Sequence, residues 1–292
     1  MPAAEIDIST DLVDQLVRAQ HPDLAGPLRR MTNGWDNVIF RLGDDLAVRL
    51  PRRAVAVTLI EHEQRWLPVL APRLPIPTPV PVRQGDPDDT FPWPWSITPW
   101  FDGHPLVTLP VRQRRPYAGG LGHFLARLHI AAPPDAPPNP VRGIPLAERS
   151  EVFARQLETI AVDRPDVLRE LWEILVTTPP WSGPPLWLHG DPHPGNVLVH
   201  AGTLAAVIDF GDLTAGDPAT DLAAAWLTFD SATRQQLRAA YGRGRPLDDD
   251  TWTRARGWAL CLGVAFTANS DDNPAIAAVG RHALSEMLAD DR

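Results

Sequence analysis

The stretch from Leu186 to Ala223, LWLHGDPHPGNVLVHAGTLAAVIDFGDLTAGDPATDLA, constrains the fold of this 292-residue chain more than any other segment. An apolar run, Leu186 to Leu188, enters a turn stiffened by Gly190, Pro192 and Pro194 and carrying His189, Asp191, His193 and Asn196. A second apolar run, Val197 to Val199, leads into Ala201-Gly202, which reads as a hairpin turn, and Leu204 to Ile208 returns along it. Antiparallel pairing about that turn sets Asn196 and Asp209 at the same level, so that the two emerge together. The pattern predicts two oxygen-bearing side chains at one end of a rigid hairpin, with Asp191 just before it.

An amide and a carboxylate oxygen suit Mg2+, a hard cation that takes few protein ligands and completes its octahedron with waters and nucleotide phosphates. Phosphoryl transfer asks a protein mainly to position groups and stabilise charge, so one carboxylate for a hydroxyl and two metal ligands form a sufficient set. Taken singly, Asp191 and Asp209 read as turn or capping residues. The pair His189 and His193 also has the H-x-x-x-H spacing of a zinc site, but stacking them needs a helix that Gly190, Pro192 and Pro194 oppose.

The pattern H-G-D-x-H-x-x-N followed by I-D-F-G-D resembles the aminoglycoside phosphotransferase family, which shares the protein-kinase-like fold. The resemblance implies an α+β chain of two lobes: a β-rich nucleotide-binding lobe over 1–98, a hinge over 99–103, and a mainly helical catalytic and substrate-binding lobe over 104–292. It implies Asp191 as the catalytic carboxylate, Asn196 and Asp209 as ligands of Mg2+, and ATP or GTP as phosphate donor. His189, Asp217 and Asp221 fall where the family supports its catalytic loop. Asp217-Pro218 independently reads as a helix start, with Asp217 capping and Asp221 one turn inside.

Upstream, Arg30 to Thr32, Val38 to Arg41 and Leu46 to Leu50 read as three strands. The connection Asn33 to Asn37 occupies the place of the family's nucleotide-covering loop, which makes Asn37 a cofactor-binding candidate, although its single glycine equally suits an ordinary hairpin turn. Arg49 stands where the family usually offers a lysine to the phosphates, and alternation puts it on one face with Ala47. On the helix predicted over Val55 to Leu70, Glu63 shares the apolar face with Ile60, Leu67 and Leu70, where a carboxylate needs a partner; Arg49 is the natural one. Two further strands are expected near Pro79 to Arg83 and Trp93 to Thr98. Pro99 and Phe101 then fall in the hinge, whose backbone holds the nucleotide base in the family. The tryptophan-rich run around Trp93, Trp95 and Trp100 reads as core.

All 27 basic residues are arginine, which excludes Schiff-base and lysine-nucleophile chemistry. A formal net charge of -9 argues against a nucleic-acid partner and favours a cationic small-molecule substrate. The lone Cys261 excludes an internal disulfide and fits a reducing compartment. With no bilayer-length apolar run and an N-terminus lacking a signal-peptide core, the chain is expected in the cytoplasm with no membrane partner. The function expected is O-phosphorylation of a small hydroxylated molecule, an aminoglycoside by resemblance. A macrolide, choline-like or homoserine-like acceptor, or a nucleotide-binding pseudokinase signalled by Arg49, are the alternatives.

Overall fold

A computed structural model describes residues 3–290, and the chain falls into two compact units. Unit one comprises residues 1–72, 77–102 and 208–211; unit two comprises 73–76, 103–207 and 212–292. Ile208–Gly211 thus group with unit one and Arg73–Ile76 with unit two.

Unit one opens on helix α1 (Thr10–Gln20), capped by Ser9, whose hydroxyl accepts from the Leu12 amide at 3.1 Å. Strands β1 (Leu28–Asn33), β2 (Asn37–Leu42) and β3 (Leu46–Pro51) follow, then helix α2 (Val57–Leu70), β4 (Arg83–Gly85) and β5 (Trp95–Pro99). The five strands form one antiparallel sheet in the order β1-β2-β3-β5-β4. One face packs Phe40, Val48, Leu50, Trp95 and Ile97 with Val13, Leu16 and Val17 of α1. Burying that many aliphatic and aromatic side chains is the main term holding the sheet, since each contributes about 1.5 to 3 kcal/mol. The segment expected as a strand from Pro79 pairs only from Arg83, because Pro79 and Pro81 have no amide to donate.

Unit two runs through β6 (His104–Pro105), α3 (Ala118–Leu128), α4 (Ser150–Leu157), α5 (Pro165–Leu175), β7 (Leu186–Leu188), β8 (Val197–His200), β9 (Thr203–Val207) and β10 (Thr214–Gly216). Helices α6 (Ala219–Leu222), α7 (Ala224–Thr228), α8 (Ser231–Gly244), α9 (Asp249–Asn269) and α10 (Pro274–Asp290) complete it. Helix α9 is the axis of the unit: of its residues, Trp252, Ala255, Trp258, Leu260, Leu262 and Val264 are all buried. Asp248 starts it by accepting from the Thr251 amide at 2.8 Å, as Asp230 starts α8 by accepting from Thr233 at 3.0 Å. Among the described residues, no helix is long and apolar enough to cross a membrane.

The hairpin departs from its expected register. His200 pairs with Thr203 across Ala201 and Gly202, both at positive φ (46° and 80°), the geometry of a two-residue turn. An irregularity between Leu198 and Val199 then shifts the ladder, so that Val197 pairs with Val207. The expected register pairs Val197 with Ile208, one residue further along the return strand.

Candidate active site

In unit two the chain leaves β7 at Leu188 and makes a tight turn through His189 and Gly190. Gly190 has φ +88°, and a Cβ there would lie 2.2 Å from the Asp212 carbonyl oxygen, so the turn requires glycine. Its two amides need acceptors, and the fully buried Asp221 supplies both. Oδ2 accepts from the His189 N–H at 2.7 Å and Oδ1 from the Gly190 N–H at 2.9 Å. Asp221 is itself held by His129, whose Nε2 lies 3.1 Å from Oδ2 and whose Nδ1 lies 2.9 Å from the Tyr241 hydroxyl. Burial pushes the Tyr241 phenol up, so the hydroxyl stays protonated and available to that imidazole. Tyr241 lies 112 residues from His129 in the chain, and no local pattern marks it.

The turn presents Asp191. His189, fully buried, accepts the Asp191 N–H at its Nδ1 (3.2 Å), and His193 accepts the Gly195 N–H at its Nδ1 (2.9 Å). The two imidazoles therefore serve the backbone of the loop. Among the described residues no group of three or more His, Cys, Asp or Glu could hold a metal. His193 turns its Nε2 toward Asp191 Oδ2 at 3.4 Å, and Arg142 brings Nη2 to 3.6 Å from Oδ1. Burial alone would raise the Asp191 carboxyl, but the charge and hydrogen bond of His193, then Arg142 and His189, outweigh it. The group is held well below the usual carboxylate range. Oδ1 is buried and makes no hydrogen bond, so Asp191 is an ionised carboxylate with one oxygen open to a donor. Asn196 follows, its Nδ2 donating to the Asp191 carbonyl at 3.0 Å; that bond leaves Oδ1 as the amide's free acceptor face.

Asp217 lies beyond β10. Its Oδ1 accepts from the Ala219 N–H at 3.0 Å, the capping role read from Asp-Pro, but the helix it starts is short and ends at Leu222. Asp217 also meets Arg254 of α9, whose Nε donates to Oδ2 at 2.7 Å; both side chains are almost fully buried. The sequence missed Arg254, although an arginine amid the apolar run of α9 signals a buried partner.

Unit one holds a second cluster. Arg49 on β3 donates to both oxygens of Glu63 on α2, at 2.5 and 3.2 Å, with both side chains buried. Glu63 also accepts from the Phe210 backbone N–H, which brings Asp209 alongside. Burial lowers Arg49, but the carboxylates of Glu63 and Asp209 together raise it above its ordinary value. Burial raises Glu63, and Asp209 adds to that rise against the pull of Arg49. Asp209 has φ +65°, a left-handed backbone that an aspartate tolerates better than most residues. Asp36, from the loop before β2, is raised first by burial and further by Asp209, while its Oδ1 accepts from Arg53 at 2.6 Å. That loop is pinned by Gly34 N–H to the Asn37 carbonyl at 2.8 Å and by the Arg52 N–H to the Asp36 carbonyl at 2.9 Å. The buried Asn37 side chain leaves Oδ1 without a hydrogen bond. Pro99 closes β5, Trp100 donates to the Asp45 carbonyl at 2.7 Å and stacks under Arg41, and Phe101 is half-buried.

A family model described as the phosphotransferase enzyme family matches residues 27–258. No curated protein matches the chain in sequence. Among solved structures, the chain is similar to the GDP complex of wild-type aminoglycoside 2'-phosphotransferase-IIIa. The two share 18% identity over 97% of this chain and 100% of that one, with a TM-score of 0.69. It is also similar to the apoenzyme of macrolide 2'-phosphotransferase MphH from Brachybacterium faecium, at 24% identity over 92% and 97% of the two chains and a TM-score of 0.63. The streptomycin-ATP ternary complex of APH(2")-IIa matches at 16% identity over 97% of each chain, with a TM-score of 0.62. At these identities the likeness is one of fold: a kinase-like β-sheet region followed by a helical region.

Proposed function

This chain belongs to the phosphotransferase enzyme family, and on that premise we propose that it transfers the γ-phosphoryl group of ATP or GTP to a small-molecule hydroxyl received by Asp191. The observation that carries this reading is the state of Asp191: ionised, with Oδ2 toward His193 and Oδ1 buried without a hydrogen bond. An orphaned buried carboxylate oxygen costs free energy unless a ligand donates to it, and an acceptor hydroxyl is such a donor. Aligning that hydroxyl with the phosphorus is the main service a phosphotransferase performs.

Mg2+ fits the residues. Asn196 has its amide nitrogen engaged and keeps its oxygen. Asp209 adds to the rise that burial gives the carboxyls of Glu63 and Asp36, and a cation beside it would relieve that part of both. Asn196 and Asp209 would each give Mg2+ one oxygen, leaving its other positions to water and phosphate. Bound there, the ion neutralises charge on the phosphate oxygens. Arg49, held in place by Glu63, would meet the phosphates, with Asn37 in the covering loop and the Pro99 to Phe101 backbone serving the nucleotide. His189, Asp217 and Asp221 would keep the loop in shape. A cytoplasmic setting supplies that donor and suits the single buried Cys261.

The acceptor we favour is an aminoglycoside, which a chain of net charge -9 attracts. One observation favours a macrolide as second reading. Phe266 sets its ring edge on His193 at 5.4 Å between centroids, and Ile276 lies against Gly195, so an apolar wall borders the loop. Release of ADP or GDP with kanamycin, streptomycin, erythromycin, choline and homoserine as acceptors separates these readings. We expect turnover with an aminoglycoside or the macrolide; nucleotide binding without transfer to any hydroxyl would replace the enzyme reading with a pseudokinase.

A further inference from the structure

The geometry points to Arg142 as a positioning residue that holds the Asp191 carboxylate with Oδ1 toward the acceptor. The inference rests on the reading of Asp191 as the acceptor-binding group. Arg142 stands outside the HGD and DFG patterns, in the Pro-rich connection between α3 and α4, 49 residues before Asp191 in sequence. Its side chain is 13% exposed, and besides a 3.4 Å hydrogen bond from Nη1 to the Val141 carbonyl it engages three neighbours more distant in the chain. Nε donates to the Gly190 carbonyl at 2.7 Å, while Nη2 lies 3.6 Å from Asp191 Oδ1 and 3.8 Å from Asp212 Oδ2.

The connection that carries Arg142 is clamped on both sides. Asn139 accepts from the Val141 N–H at 2.9 Å and donates to Asp212 Oδ1 at 2.9 Å, which holds that carboxylate beside the guanidinium. The Gly143 N–H donates to Thr220 Oγ1 at 3.1 Å, and the Gly143 carbonyl accepts from the Asp217 N–H at 3.1 Å. Thr214 Oγ1 donates to the Pro137 carbonyl at 2.8 Å. A guanidinium delivered by a segment tied down at Pro137, Asn139 and Gly143 has its position set before any ligand arrives, which is the condition for aligning a reacting group.

The division of labour among the atoms follows. The Nδ1 of His193 accepts from Gly195, so its proton sits on Nε2, facing Asp191 Oδ2. Arg142 stands at the other oxygen. Between the imidazole N–H of His193 and the guanidinium of Arg142 the carboxylate is held in one orientation, and Oδ1 is the oxygen offered to a hydroxyl. In the transfer the hydroxyl oxygen bonds to the γ-phosphorus and the bond from that phosphorus to the β-γ bridging oxygen breaks. The electron pair leaves with the nucleoside diphosphate, and the hydroxyl proton passes to Asp191 and then to water. Arg142 exchanges no proton. One arm on a carbonyl and the other between two carboxylates requires the planar fork of arginine; lysine supplies the charge but only one contact point.

The test measures kcat, KM for the nucleotide and nucleotide Kd for wild type, Arg142→Gln, Arg142→Lys, Asp191→Asn and Arg142→Gln/Asp191→Asn with Mg2+. Kanamycin, erythromycin and water serve as acceptors, and melting temperature is recorded for each protein. Arg142→Gln is expected to lower kcat by about 10- to 100-fold, the effect of a misplaced reacting group, with nucleotide Kd within about twofold because Arg142 acts on the acceptor side. Arg142→Lys should recover part of kcat, and the double variant should be no slower than Asp191→Asn, since Arg142 acts through Asp191. If Arg142→Gln does not fold, a folded Arg142→Lys with reduced kcat and unchanged melting temperature supports the inference in its place. Wild-type kcat in Arg142→Gln or, where that variant does not fold, in Arg142→Lys overturns the inference, as does a further loss on top of Asp191→Asn. Wild-type kcat in Asp191→Asn, or no nucleotide turnover by the wild-type protein, overturns the reading of Asp191 instead.

Discussion

Replacing Asp221 with alanine is the perturbation whose cost can be worked out most directly. The carboxylate is fully buried and has three donors converging on it: the His189 N–H at 2.7 Å, the Gly190 N–H at 2.9 Å and His129 Nε2 at 3.1 Å. Asp221→Ala leaves all three without an acceptor in a place water does not reach. One unsatisfied buried donor costs about 1 to 3 kcal/mol, and the terms overlap because the donors are neighbours. The expected loss is about 3 to 5 kcal/mol, the range for removing one member of a buried polar pair. For a chain of this size that lowers Tm by roughly 5 to 8 °C. Asp221→Asn keeps one acceptor oxygen and turns an amide toward a donor, so it should fall between wild type and alanine. Differential scanning calorimetry reads the shift, and hydrogen exchange at the His189 and Gly190 amides reads its place. A melting temperature within about 1 °C of wild type would show that the turn finds other acceptors and that Asp221 is no brace.

The Arg49-Glu63 pair predicts a non-additive cycle. Arg49→Ala should lower kcat/KM by about 2 kcal/mol or more in transition-state terms and Glu63→Ala by less, with the double variant no worse than Arg49→Ala; additive losses would refute the coupling. In stability, Arg49→Ala strands a buried carboxylate and should cost more than the double variant by a measurable margin in urea unfolding. Asp209→Ala should weaken Mg-nucleotide binding strongly and Asn196→Ala less, because a charged ligand is worth more to Mg2+ than an amide. Isothermal titration with wild-type affinity in both would place the metal elsewhere. Arg254→Met should destabilise unit two by leaving Asp217 buried and unpaired, about 3 kcal/mol, whereas Asp217→Asn with Arg254→Met together should cost less; equal thermal shifts would deny the pairing.

What the sequence made legible was whatever is coded locally. Strand alternation placed β1 to β3, and the spacing of Ile60, Glu63 and Leu67 put a carboxylate on a buried face of α2 that only a cation could accompany. The polar residues between β7 and β8 stood out because they cluster in one Gly- and Pro-stiffened turn between two apolar strands. The hairpin register is one residue out because the turn centres between Ala201 and Gly202, one position earlier than the expected axis, and the irregularity at Leu198/Val199, a backbone event with no side-chain signature, makes up only part of the difference. The Asp217-Pro218 start announces a helix with Asp221 one turn inside. It divides into α6 and α7, and nothing in its alanine-rich sequence marks the break. Arg142, Tyr241 and Arg254 went unread for a different reason. Each reaches its partner across 48, 112 and 37 residues respectively, and such contacts are decided by packing that no local pattern records.

The central claim is that Asp191 handles the acceptor and not the nucleotide. The most direct measurement compares Asp191→Asn with wild type in one preparation: nucleotide affinity by titration, and phosphorylated product by mass spectrometry with the acceptor that wild type uses. The account predicts nucleotide Kd within about twofold of wild type and turnover reduced by a factor on the order of 100 or more, the range over which a positioned acid-base group acts. A folded Asp191→Asn protein that forms product at the wild-type rate would contradict it.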